Sequence, residues 1–126
     1  MSHYAETLKS IMAAALKPDV ERFVDFLADD VEYHFHVSTP PVRGKDGVRR
    51  FMAKYGTIAG DPLWRVDRTA QAGNCLFVEG YEEYTDKRTG ERIAHPYMGI
   101  LEFRADGKIT KWRDYFEMNQ KKKESA

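Results

Sequence analysis

The sequence predicts an α+β domain: a curved antiparallel sheet covered by three helices. Three observations lead there. The first half of the chain places apolar residues at helical spacing. The second half alternates apolar and polar residues with the period of two that a strand requires. Between these runs lie Ser38-Thr39-Pro40-Pro41, Gly60-Asp61-Pro62, Gly73-Asn74 and Asp86–Gly90, stretches that turn a chain rather than continue it.

Tyr4, Leu8, Ile11, Met12, Ala15 and Leu16 define a first helix over residues 3–16. Pro18 suits the first turn of a second, with Asp19 and Glu21 near its positive end and Val20, Phe23, Val24 and Leu27 as its apolar stripe. Ala28-Asp29-Asp30 ends it. Val31 to Val37 alternates as a short strand, with Tyr33, Phe35 and Val37 on one side and Glu32, His34 and His36 on the other. The double proline then forms a loop. Gly44-Lys45-Asp46 leads into a third helix with Val48, Phe51, Met52 and Tyr55 as its buried stripe, closed by Gly56. Four strands follow: Trp64–Ala72, Cys75–Thr85, Ile93–Phe103 and Gly107–Met118, the last pair joined by the tight Arg104-Ala105-Asp106-Gly107 connection. One domain over residues 1–118 is expected, then a frayed, solvated basic tail over 119–126.

The totals bound the function. Of 126 residues, 42% are hydrophobic and 13% aromatic, enough for one core with rings left over to line a cavity. Twenty Lys and Arg balance twenty Asp and Glu, so neither a nucleic acid nor an anionic membrane is expected as a partner. The one cysteine, Cys75, reads as a buried small hydrophobe. No apolar run approaches the roughly 20 residues of a membrane span. Met1-Ser2-His3-Tyr4-Ala5-Glu6 lacks a basic segment followed by an apolar run, so the expected location is the cytoplasm.

Asp114 is the residue type out of place. Alternation along the last strand puts Thr110, Trp112, Asp114, Phe116 and Met118 on one face, so the carboxyl sits between two aromatic neighbours. Their desolvation would raise its pKa, a common preparation for a general acid or base. If Arg104 faces Gly107, Tyr97 lies across from Asp114 and His95 across from Phe116. His95 is then an acid–base partner for Asp114. Glu79, Tyr81 and Glu83 share a face of the neighbouring strand, with Glu83 directed inward as a second acid; a one-residue slip in the Asp86–Gly90 turn would bring Glu82 inward instead. Trp64, Tyr55, Phe51 and Phe77 read as core or cavity wall. His34 and His36 have no third ligand in sequence, and no metal is expected. Leu76, Val78, Met98 and Ile100 fall on the opposite parity from the cavity residues, an apolar outer face that a homodimer would cover.

Phe26-Leu27-Ala28-Asp29-Asp30-Val31, Gly44-Lys45-Asp46-Gly47-Val48 and Gly107-Lys108-Ile109-Thr110-Lys111-Trp112-Arg113-Asp114-Tyr115-Phe116 together resemble the limonene epoxide hydrolases and SnoaL-like polyketide cyclases, of the nuclear-transport-factor-two-like (cystatin-like) superfamily. The resemblance implies a cone-shaped domain with a deep pocket and a homodimer formed through the outer sheet face. It also implies, for the hydrolases, an Asp that works with an Asp–Arg pair to activate water without a metal. Asp114 matches the Asp of the final motif, and Tyr33 the water-holding Tyr. The family's Arg-x-Asp falls on Tyr81-Glu82-Glu83, which has no Arg. Phe35 stands where the hydrolases carry an amide and the steroid isomerases an Asp.

The expectation is therefore a cofactor-independent isomerase, cyclase or hydrolase acting on a small apolar molecule. Asp114, His95 and Glu83 are the catalytic candidates. Tyr33, Phe35, Tyr81, Tyr97, Trp112 and Phe116 are the substrate-binding ones. The alternative is a ligand-holding or dimerising module of the same fold.

Overall fold

The computed structural model describes residues 3–36 and 38–117. Helix α1 (His3–Leu16) buries Ala5, Leu8, Ile11 and Ala14, which recur at three-residue steps. Helix α2 (Val20–Asp25) is capped by Asp19, whose carboxylate accepts the Arg22 N–H at 3.1 Å. The chain then turns at Phe26, and β1 (Leu27–His34) begins earlier than the sequence suggests. The reason is tertiary: the Phe26 carbonyl accepts the Ile109 N–H at 3.0 Å, and Leu27 pairs with Ile109, so the end of the expected helical stripe joins the sheet. A two-residue β2 (Val42–Arg43) precedes α3 (Gly44–Ile58), which runs through Gly56 rather than stopping there.

The remaining strands are β3 (Ala59–Ala72), β4 (Cys75–Asp86), β5 (Arg92–Phe103) and β6 (Ile109–Tyr115). The sheet order is β2-β1-β6-β5-β4-β3. All neighbours are antiparallel except β1 and β6, which run parallel because the chain returns to β1 only after the whole meander is complete. Pro62 sits in β3, an edge strand, where its missing N–H removes no ladder bond from a second neighbour. Register shifts at Gly60/Leu63, Val66/Arg68 and Glu102/Phe103 add the local twist that bends the sheet. Gly80 permits close approach: a Cβ there would stand 2.3 Å from the Arg65 carbonyl oxygen and 2.7 Å from the Tyr97 hydroxyl.

The core joins Leu8, Ile11, Val24, Leu27, Val31 and Val48 to Leu76, Val78, Leu101 and Ile109. This corrects the reading of β4. Leu76 and Val78, assigned above to the outer face, are 0% and 2% exposed in the core. Phe77, taken as core or cavity wall, is exposed. Both faces of β4 carry apolar residues and Gly80 carries no side chain, so alternation alone did not fix which face turns inward. Met98, 47% exposed, and Ile100 do lie on the other face. Val37, Met118 and the 119–126 tail fall outside the described residues. Among the described residues no helix is long and apolar enough to cross a membrane.

Ile109 is fully enclosed at the junction of β1, β6 and the helices. Ile109→Ala should cost about 2–5 kcal/mol of stability, read as a lower urea midpoint with an unchanged slope.

Candidate active site

The helices and the bent sheet enclose a cavity of about 490 Å³. Aromatic rings form most of its wall, and they touch one another. Tyr33 meets Phe51 and Trp112 edge-on, with centroids 5.4 and 5.6 Å apart. Trp64 tilts against Trp112 at 6.0 Å, Phe35 against Phe51 at 5.2 Å, and Tyr55 meets Tyr84 at 5.8 Å.

Asp114 enters this wall because β6 alternates Trp112 and Asp114 toward it, and Phe116, just past the strand, follows on the same side. Its carboxyl lies against the backbone of β5 at Gly99, where an added Cβ would stand 2.6 Å from Asp114 Oδ1. The Trp112 indole N–H donates to the same oxygen at 3.2 Å. Burial pushes the Asp114 pKa well above its ordinary 3.8, and the neighbouring Glu82 charge pushes it further; the Trp112 hydrogen bond opposes both. Burial likewise raises the hydroxyl pKa of Tyr33, with the Asp114 charge adding to it, and those of Tyr55 and Tyr97. These three phenols keep their protons at neutral pH and can donate them to hydrogen bonds. The Tyr97 oxygen itself accepts the Trp64 indole N–H.

His95 stands in the same wall, and it is 2% exposed. Its ring lies flat on Phe116, with centroids 4.2 Å apart and planes within 7°. Its Nε2 is 3.1 Å from Glu82 Oε1. Glu82 and His95 face each other across β4 and β5, so the pair is fixed by strand register rather than by loop position.

Eight of the nine site residues singled out from the sequence line the cavity together: Asp114, His95, Glu83, Tyr33, Phe35, Tyr97, Trp112 and Phe116. Two details of their arrangement differ. Asp114 pairs with Gly99 rather than Tyr97, a register two residues away on the same face. The connection is longer than assumed, since Arg104 N–H bonds the Lys108 carbonyl at 2.8 Å, and the shift at Glu102/Phe103 adds one more residue. The second difference is the acid on β4. The inward carboxylate is that of Glu82. Glu83 borders the cavity, but its carboxylate is held by the Tyr81 hydroxyl at 2.8 Å and Arg92 Nε at 3.0 Å. Tyr81 lies outside the cavity wall, with the Arg65 guanidinium 4.9 Å above its ring. Gly80 and Gly99 escaped the sequence reading; a glycine inside a strand pattern, where another group approaches closely, was the available signal. His36 is enclosed, with Nδ1 2.7 Å from Ser38 Oγ and Nε2 2.6 Å from the Phe116 carbonyl oxygen. Among the described residues no three His, Cys, Asp or Glu side chains gather as a metal site requires.

Three helices on a bent six-stranded sheet form the nuclear-transport-factor-two-like fold. The chain belongs to the SnoaL-like domain family, whose model matches residues 8–112. Its fold is shared with an epoxide hydrolase of the limonene-epoxide-hydrolase type from M. tuberculosis, at 22% identity and a TM-score of 0.77 over 90% of this chain and 82% of that one. It is shared also with TerC, co-crystallised with polyporic acid, at 23% identity and 0.79 over 92% of both chains. A Shewanella denitrificans protein assigned to the SnoaL-like polyketide cyclases matches at 12% identity and 0.82, over 93% of this chain and 92% of that one.

The raised Asp114 pKa has a consequence for stability. A carboxyl whose folded-state pKa is raised contributes its full stabilisation below 3.8 and loses it as pH rises through the folded value. Asp114→Asn removes that loss. The variant should melt with the wild type near pH 4 and above it near pH 8, as read by paired thermal melts; an Asn variant that melts lower at pH 8 would contradict this.

Proposed function

We propose that the chain is an enzyme of isomerase, cyclase or hydrolase type that takes a small, mostly apolar substrate into the cavity and moves a proton with Asp114, without a cofactor. What carries the reading is a carboxyl buried among rings and lying against the Gly99 backbone, in surroundings that favour its protonated form. A neutral carboxyl can donate to a developing oxyanion or protonate a carbon, and the protonated phenol of Tyr33 can share that charge. The Glu82–His95 pair supplies the complementary base, so one group gives a proton while the other takes one. The rings exclude water and bind the apolar body of the substrate. Arg88, the arginine in the cavity wall, is bonded to Asp86 rather than poised beside Asp114, and this favours proton transfer next to a carbonyl over epoxide opening. It also sustains a second reading, a ligand-holding domain without turnover.

A panel of cyclic and aromatic ketones incubated in heavy water separates the two. Mass spectrometry should find deuterium gained next to the carbonyl in at least one ketone with the wild type. Asp114→Asn should slow the exchange about 10²-fold or more, and Glu82→Gln by a smaller factor. Exchange indifferent to Asp114→Asn would sink the proton-transfer role.

We propose also that the working form is a cytoplasmic homodimer paired through the outer sheet face, with neither nucleic acid nor membrane as partner. Phe77, Met98 and Tyr115 are exposed there, and Met98 pairs with Tyr115 across β5 and β6. The ion pairs Arg113–Glu102 and Arg68–Glu79 leave that face balanced in charge, so two copies can meet without repulsion. Met98→Lys should convert a dimer of 14.6 kDa chains to monomer in sedimentation velocity; a wild type already monomeric at micromolar concentration would refute the proposal.

A further inference from the structure

The cations of α3 divide into two sets. On one side Lys45 pairs with Asp29, and Arg49 with Glu21 and Asp46. On the other, Arg50 and Lys54 stand one turn apart, both exposed, and neither forms an ion pair among the described residues. Lys54 lines the aromatic cavity. It and Phe51 also form the wall shared with a shallow groove of about 500 Å³ that continues past Gly47 and Arg50. A Cβ at Gly47 would stand 3.2 Å from Val42 Cγ1 and 3.9 Å from the Arg50 guanidinium, so the missing side chain keeps this groove open beside the cation. Arg88, the other cation in the cavity wall, is held by Asp86 through two hydrogen bonds, at 3.1 and 3.0 Å.

The charges therefore have a direction. Inside the cavity is the Glu82 carboxylate, whose charge resists the entry of an anion. At the edge shared with the groove are two cations that no acid neutralises among the described residues. A ligand carrying a negative group would be oriented by this arrangement, ring body inward and charge outward. A planar carboxylate suits both cations, as a point-charge partner for Lys54 and as a two-oxygen partner for the fork of Arg50.

We propose that the ligand of this cavity is an aromatic or cyclic carboxylate, with its ring body among the aromatic side chains and its carboxylate held at the mouth by Lys54, with Arg50 in the adjoining groove. The inference deepens the proposed function and rests on the same cavity. It needs no turnover, however, so binding decides it while the deuterium-exchange experiment decides proton transfer.

The test is ligand-observed NMR titration with 2-naphthoate and 2-naphthamide, which share a ring body and differ in charge. The wild type should bind the carboxylate about fivefold more tightly than the amide in low salt, a preference that shrinks in 0.5 M sodium chloride. In R50Q/K54Q the preference should vanish while amide affinity stays within about twofold. Equal wild-type affinities, a preference that survives in the double variant, or binding of neither probe would each overturn the proposal. Asp114→Asn should retain the preference.

Discussion

The close packing of the Asp114 carboxyl against the Gly99 backbone is the constraint on which the rest of this structure depends. Only a residue without a Cβ leaves room for Oδ1 there, so β5 and β6 meet in one register and the acid faces one way. Gly80 does the same on β4, where the Tyr97 ring and the Arg65 carbonyl occupy the space a side chain would fill. Adjacent strands thus give up side-chain volume on the concave face. The sheet can bend there, and the space is shared by the Tyr97 ring and the Asp114 carboxyl.

The helices complete what the bend begins. Helices α1 and α2 seal the core with Leu8, Ile11 and Val24, while α3 commits only Val48 fully to it. Its next turns present Phe51, Met52 and Tyr55 to the cavity instead. A stripe that would be core in an ordinary helix is therefore wall here. Around Asp114 this has an electrostatic result. Rings replace water, and Glu82 is the nearby charge that acts on the carboxyl, so the neutral acid is favoured. Glu82 in turn meets His95, which is clamped flat on Phe116.

The fold class was legible because helical and strand periods occupy different halves of the chain. So was the face of β6, since Trp112 and Phe116 flank Asp114 on one parity. Less legible was anything that depended on counting across a turn. Leu76 and Val78 alternate with Phe77, which is also apolar, so pattern alone did not orient β4, and Glu83 stood where Glu82 proved to point inward. The Tyr97–Asp114 pairing failed by two residues because the connection pairs Arg104 with Lys108, and the bulge at Glu102/Phe103 adds one more residue, neither of which composition shows. Leu27 looked helical and became strand because its partner, Ile109, lies more than eighty residues away in the chain.

The surroundings of Asp114 favour its neutral form. Carboxyl-carbon NMR titration of the folded protein, with Asp114→Asn to assign the signal, measures this directly. The midpoint should lie well above 3.8 and fall when Glu82→Gln removes the neighbouring charge. A midpoint at or below 3.8, unmoved by Glu82→Gln, would show Asp114 to be an ionised structural anchor and not a proton donor.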